Sequence, residues 1–102
     1  MHPLVEKNRP ELERLCERYH VRRFELFGSA AGQAFDQDAS DLDFLVEFED
    51  LEPVAYADVY FGLLEDLSSL FQRPVDLVVL SAIKNPYFLR GIEQSRTLLY
   101  AA

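Results

Sequence analysis

RRFELF at residues 22–27 and DLDFLVEF at residues 41–48 are the two stretches that decide the fold. Both are rich in aromatic and aliphatic residues, and the second partly alternates apolar with polar positions, as strands do. Gly28 and Ser29 end the first strand. Between the two strands, the small residues at 30–34 predict a short helix or helical turn, and the polar residues at 36–40 predict a loop.

Helical patterns lie outward from these strands. Before the first strand, a helix is predicted with Asn8 as its cap and with apolar residues at helical spacing: Leu12, Leu15, Cys16 and Tyr19. A second helix begins at Pro53, and the pair Arg73 and Pro74 ends its pattern. Residues 75–80 read as a third strand, and residues 87–99 as a closing helix. This order predicts an α/β fold in which helices flank a small mixed sheet.

The composition limits the possible partners. With 102 residues, the chain 1–102 is predicted to be a single domain. Its net charge is −8, and Arg22 and Arg23 form its only basic pair, so direct binding to nucleic acid is not expected. No apolar run is long enough to span a bilayer. The single cysteine and the charged N-terminal residues favour a cytoplasmic protein without a membrane partner.

Three aspartates stand out. Asp41 and Asp43 are two positions apart on a predicted strand, so both side chains point to one face. Asp76 is the only charged residue in the apolar run at 75–80, where an unpaired carboxylate would cost free energy. Three carboxylates without an organised His or Cys favour Mg²⁺ or Mn²⁺ over Zn²⁺ as a shared cation. Such ions typically act on phosphates.

Gly28 and Ser29 could supply the phosphate contacts. A strand that ends in Gly-Ser before a helical turn exposes backbone N–H groups and a hydroxyl, and glycine allows close approach of a phosphate. A Gly-Ser pair alone is weak evidence. It becomes informative when an Asp-x-Asp strand follows and a third aspartate lies in another strand.

The combination of LFGS at 26–29, SDLDFLV at 40–46 and RPVDLV at 73–78 resembles the signature of the DNA-polymerase-β-like nucleotidyltransferases. The ending from NPYF at 85–88 to residue 100 is similar to the minimal (MNT) branch of that superfamily. The resemblance implies the palm-type mixed sheet of these enzymes. It also implies that Gly28 and Ser29 hold the triphosphate, and that Asp41, Asp43 and Asp76 are the catalytic and metal-binding carboxylates, with two Mg²⁺ ions once ATP is bound.

The resemblance further implies a partner. Members similar to this chain pair with a helical HEPN-domain protein, an RNase toxin whose antitoxin is the nucleotidyltransferase. The expected function is therefore transfer of AMP from ATP to a hydroxyl, most simply a tyrosine, of that toxin.

Two other functions stay open at the level of sequence. Residues 30–32 contain no basic residue after the Gly-Ser pair, where family members commonly have one, so the chain could neutralise its partner by masking it without catalysis. Transfer to a small molecule is less favoured, because no acceptor-binding domain is evident.

Overall fold

The computed structural model describes residues 3–27, 42–82, 86–87, 90 and 96–102. Its elements, in chain order, are α1 (Pro3–Lys7), α2 (Arg9–Arg18), β1 (Val21–Phe27), β2 (Leu42–Phe48), α3 (Pro53–Phe71), β3 (Val75–Val79), a 3₁₀ turn (Leu80–Ala82) and β4 (Thr97–Ala101). The predicted short helix at 30–34 and the predicted loop at 36–40 lie outside the described residues.

The four strands form one mixed sheet in the order β3-β2-β1-β4. β1 pairs antiparallel with both β2 and β4, whereas β2 and β3 are parallel. Parallel neighbours need a crossover, and α3 supplies it between β2 and β3. The predicted α/β class with a mixed sheet and flanking helices is confirmed.

The predicted closing helix is wrong at its C-terminal end. Pro86, Tyr87 and Arg90 are helical, but Thr97–Ala101 is a strand that pairs with β1, with Phe24 opposite Tyr100. A short apolar run such as TLLYA fits either a helix or a strand. The open edge of β1 decides the outcome, since pairing there satisfies the backbone groups of both strands.

The start of α3 agrees with the sequence-based prediction, whereas the predicted cap of the first helix does not. α3 begins at Pro53 as predicted, and Gln72 follows it in the left-handed conformation at φ 52°. The prediction that Asn8 caps the first helix is wrong. Asn8 precedes α2 but makes no side-chain cap; its Nδ2 instead donates to the Leu4 carbonyl oxygen of α1 at 2.8 Å.

The main core lies between the helices and one face of the sheet. In β2, Leu42, Phe44, Val46 and Phe48 all belong to this core. The ring of Phe44 stacks on that of Phe24 with centroids 4.8 Å apart. Cys16 is buried in the same core. Burial, and then the charges of Glu13 and Glu17, raise the pKa of its thiol to about 12, which suits a packing role.

The contact between α2 and α3 depends on Gly62. A Cβ atom there would lie 2.8 Å from Tyr19 Cε1, and the Tyr19 hydroxyl donates to Asp66 Oδ2 at 2.5 Å. Gly62→Ala is therefore expected to lower the free energy of unfolding by about 1 kcal/mol in urea titrations, because the ring must shift and lose that bond. In a Tyr19→Ala background the same change should stabilise by about 0.5–1 kcal/mol, since alanine favours a helix. A loss in both backgrounds would contradict this account.

Candidate functional site

Asp43 and Asp76 lie side by side on neighbouring strands. They are register partners in the parallel pair β2 and β3, and Phe27 at the end of β1 is the partner of Asp43 on its other side. Neighbouring strands are about 4.8 Å apart, and laterally paired residues point to the same face. The two carboxylates therefore leave the sheet together, on the face opposite the main core.

The surroundings of Asp76 differ from the sequence-based expectation. Its carboxylate does not bear the free-energy cost expected within an apolar strand, because Asp76 is exposed. β3 is an edge strand of the sheet, so a side chain on its second face reaches solvent. Asp43, on the inner strand β2, is half-buried. One carboxylate is thus held within the sheet, and the other faces the solution.

A cavity of about 440 Å³ contains both aspartates. Its remaining lining is mostly apolar: Phe27, Tyr60, Leu64, Val75, Leu77 and Val78. Among the described residues, Tyr60 contributes the only other ionisable side chain of this lining. Its hydroxyl donates to the Leu77 carbonyl oxygen at 2.5 Å. Burial, and then the charge of Asp76, raise the pKa of Tyr60, so the phenol stays protonated as a donor.

The sequence pattern did not place Tyr60 at the aspartate site. It belongs to the apolar stripe of α3, where an aromatic residue usually means core packing. Only the crossover of α3 onto β3 brings its ring beside Asp76.

Three predicted site residues lie outside the described part of the chain: Gly28, Ser29 and Asp41. In the sequence, Gly28 directly follows Phe27, and Asp41 directly precedes Leu42. The predicted carboxylate triad is therefore described at two of its three positions. Accordingly, no group of three metal-ligating side chains occurs among the described residues.

The donor set at the two described positions suits a hard cation. Aspartate oxygens are the ligands that Mg²⁺ prefers, and two carboxylates one strand apart can share an ion. Mg²⁺ also keeps several water ligands, so a site that is partly open to solvent fits it. The chemistry that such a pair supports is the handling of phosphate groups.

A buried charge cluster lies on the same face of the sheet as Asp43 and is centred on Glu25 of β1. Glu25 is 3% exposed, and Arg96 binds it through two bonds, Nε to Oε2 at 2.5 Å and Nη2 to Oε1 at 3.1 Å. Arg23 Nε donates to Oε1 at 2.6 Å. Burial opposes ionisation of Glu25, but the hydrogen bonds and charges of Arg96 and Arg23 outweigh it and hold its pKa below the ordinary value. In the sequence, Arg23 stands out as half of a basic pair, whereas no local pattern marks Glu25 or Arg96.

The sheet order, the crossover helix and the paired aspartates are compatible with a nucleotidyltransferase. The family described as "Nucleotidyltransferase domain" matches residues 11–99. The chain belongs to this nucleotidyltransferase family. Within the described residues, no helix is long and apolar enough to cross a membrane.

One relative and two solved structures are similar to this chain over most of its length. A protein of Methanocaldococcus jannaschii named "Putative protein adenylyltransferase" is 42% identical over 80 residues, which cover 78% of each chain. A solved structure described as a "putative minimal nucleotidyltransferase" is 26% identical, with a TM-score of 0.75 and 95% coverage of both chains. A chain from the complex of a tri-AMPylated Shewanella oneidensis HEPN toxin with an MNT antitoxin matches at 20% identity. Its TM-score is 0.65, with 95% of this chain and 72% of that chain covered, and this likeness shows the fold alone.

Proposed function

We propose that this chain is a Mg²⁺-dependent protein adenylyltransferase. It transfers AMP from ATP to a hydroxyl, most simply a tyrosine, of a HEPN-type RNase toxin, and so acts as the antitoxin of that partner. The single observation that carries the proposal is the adjacency of Asp43 and Asp76 in an open cavity at the sheet edge. The name of the M. jannaschii relative and the toxin complex of the S. oneidensis fold neighbour support the choice of a protein acceptor.

Asp41, Asp43 and Asp76 are the residues we assign to the metal, and Gly28 and Ser29 to the triphosphate. The assignment rests on the oxygen donors of Asp43 and Asp76, and on Gly28 and Asp41 being adjacent in sequence to the strand ends beside them. When bound, Mg²⁺ would neutralise charge that develops on the phosphate oxygens.

Asp76 is suited to act on the acceptor because it is exposed within the cavity. In the proposed reaction, the acceptor oxygen attacks the α-phosphorus and gives up its proton to the Asp76 carboxylate. The bond between the α-phosphorus and the bridging oxygen breaks, and pyrophosphate leaves. Asp43, half-buried on β2, holds its position through the sheet and keeps the geometry of the pair.

The domain organisation, the location in the cell and the partner are part of the same proposal. We propose that residues 1–102 act as one minimal nucleotidyltransferase domain in the cytoplasm, and that a second protein brings the acceptor hydroxyl into the open cavity. The net charge of −8 suits a basic protein partner better than a nucleic acid.

The test uses the purified protein, Mg²⁺ and α-³²P-ATP, with a co-expressed HEPN-domain protein. Label is expected on the partner, at a tyrosine located by mass spectrometry. Removal of Mg²⁺ with EDTA should abolish the labelling, and added Mg²⁺ should restore it, because carboxylates alone cannot neutralise the triphosphate. A tight complex that never becomes labelled would instead support a non-catalytic antitoxin that masks its partner.

A further inference from the structure

An apolar groove runs beside the candidate site, between α3 and the edge strand β3. It measures about 310 Å³ and is lined by Tyr56, Ala57, Tyr60, Phe61, Leu77 and Val79. Tyr56 and Tyr60 are four residues apart, one turn of α3, while Leu77 and Val79 are two apart on β3 and share a face. The groove therefore follows the cleft between the helix and the strand.

The groove adjoins the aspartate cavity. Tyr60 and Leu77 line both. A side chain seated in the groove would place its neighbouring residues at the carboxylates. This geometry suits an acceptor protein that is bound in the groove and modified in the aspartate cavity.

The rim of the groove exposes apolar surface. The Phe61 side chain is 63% exposed, and its ring meets the Tyr60 ring edge-on with centroids 5.1 Å apart. An exposed aromatic ring beside an apolar groove is characteristic of protein-binding sites.

The backbone of β3 disfavours an added strand as the occupant. The Leu42 amide donates to the Pro74 carbonyl at 3.4 Å, so carbonyls at even positions of β3 face β2 and that of Leu77 faces outward. The Tyr60 hydroxyl already occupies this outward carbonyl. Docking through side chains needs no displacement of Tyr60, whereas strand addition does.

The charged residues of the two elements that form the groove, α3 and β3, are all acidic. α3 carries Asp58, Glu65 and Asp66, and β3 carries Asp76; neither element contains a Lys or Arg. Asp58 adjoins the groove residue Ala57 and is exposed. A complementary ligand has an apolar anchor with basic neighbours.

We propose that this groove docks the acceptor protein, through an apolar side chain flanked by Lys or Arg and close in sequence to the hydroxyl that receives AMP. The proposal rests on the proposed function for its acceptor. It specifies the chemistry of the segment that the enzyme selects.

The test uses three fluorescein-labelled peptides, each with one tyrosine and a nearby leucine, whose flanks are Lys, Ser or Glu. Binding is measured by fluorescence anisotropy without ATP or Mg²⁺. The Lys peptide is expected to bind about tenfold tighter than the Glu peptide at low salt, and the difference should shrink in about 1 M salt. Equal binding of the Lys and Glu peptides, or no binding up to about 1 mM, would overturn the proposal.

Variants locate the binding to the groove. Phe61→Ser and Asp58→Lys should each weaken binding of the Lys peptide by about fivefold or more. The matched controls are Leu98→Ser, an exposed residue of β4 at the other sheet edge, and Glu13→Lys, an exposed residue of α2. Losses of equal size in the controls would place the peptide elsewhere and sink the groove as its site.

Transfer of AMP to the same peptides is measured separately, with ATP and Mg²⁺. Groove-dependent binding without any transfer supports the docking surface and contradicts the proposed enzyme activity. Transfer at equal kcat/KM to the Lys and Glu peptides has the opposite meaning: it supports the enzyme and contradicts the docking surface.

Discussion

Asp43→Asn and Asp76→Asn are each expected to lower the rate of AMP transfer by about 10³-fold or more. Each change removes one carboxylate charge from the adjacent pair but keeps the size of the side chain. The loss of a charged group that acts on developing charge or on the transferred proton typically costs two to four orders of magnitude, roughly 10²–10⁴. The measurement is single-turnover labelling of the partner with α-³²P-ATP.

The control for this pair is Asp50→Asn, an exposed carboxylate just after β2. It should keep the wild-type rate. Thermal unfolding of all three variants checks that the fold persists, since neither Asp43 nor Asp76 belongs to the main core. Wild-type transfer by a folded Asp76→Asn variant would contradict the role assigned to that residue.

The second large effect concerns stability. Arg96→Ala is expected to lower the free energy of unfolding by about 3 kcal/mol, because it leaves the Glu25 carboxylate, 3% exposed, with one arginine where it had two. Urea unfolding at neutral pH measures the loss. The matched control is Arg22→Ala: Arg22 pairs with Glu47 at 3.0 Å, but its side chain is 55% exposed. An exposed pair of this kind contributes about 0.5 kcal/mol.

The pH dependence separates the charge effect from lost packing. Folding lowers the pKa of Glu25, so ionised Glu25 contributes stability above the unfolded-state pKa, and this contribution is lost as the pH falls through the folded-state pKa. Burial raises the pKa of Glu25, and Arg96 is the group that does most to lower it. Arg96→Ala removes this effect. Its deficit should therefore be greatest near neutral pH and shrink in acid, where the carboxyl is protonated in both proteins. A deficit independent of pH would indicate lost packing.

Much of the fold could be predicted from local signals. The strands β1, β2 and β3 and the long helix α3 each occur where the pattern of apolar residues places them. Pro53 marks the start of α3, and Arg73 and Pro74 mark the break after it. These signals are short in range, so a single sequence carries them in full.

The paired aspartates were also visible in the sequence as candidate site residues. A charged residue that interrupts an apolar strand is visible without a structure, and Asp43 and Asp76 are such residues. The adjacency of Asp43 and Asp76 is not visible in the same way. It depends on the parallel register of β2 and β3, which joins positions 33 apart in the chain.

Residues Thr97–Ala101 show where local information ends. Their apolar run is compatible with a helix or a strand, and the choice depends on the unpaired edge of β1, some 70 positions away. At the other edge of the sheet, β3 has a neighbouring strand on one side only. Asp76 therefore lies in solvent rather than in an apolar interior.

The sequence by itself determined the family, the strands β1 to β3 with the helix α3, and the identity of the paired carboxylates, because these depend on residue type and spacing. Only the tertiary structure decided that Tyr60 lines the aspartate cavity, that Glu25 and Arg96 form a buried pair, and that β4 closes the sheet. Each of these depends on contacts between residues distant in the chain, and packing and backbone pairing select such contacts only when the whole domain is assembled.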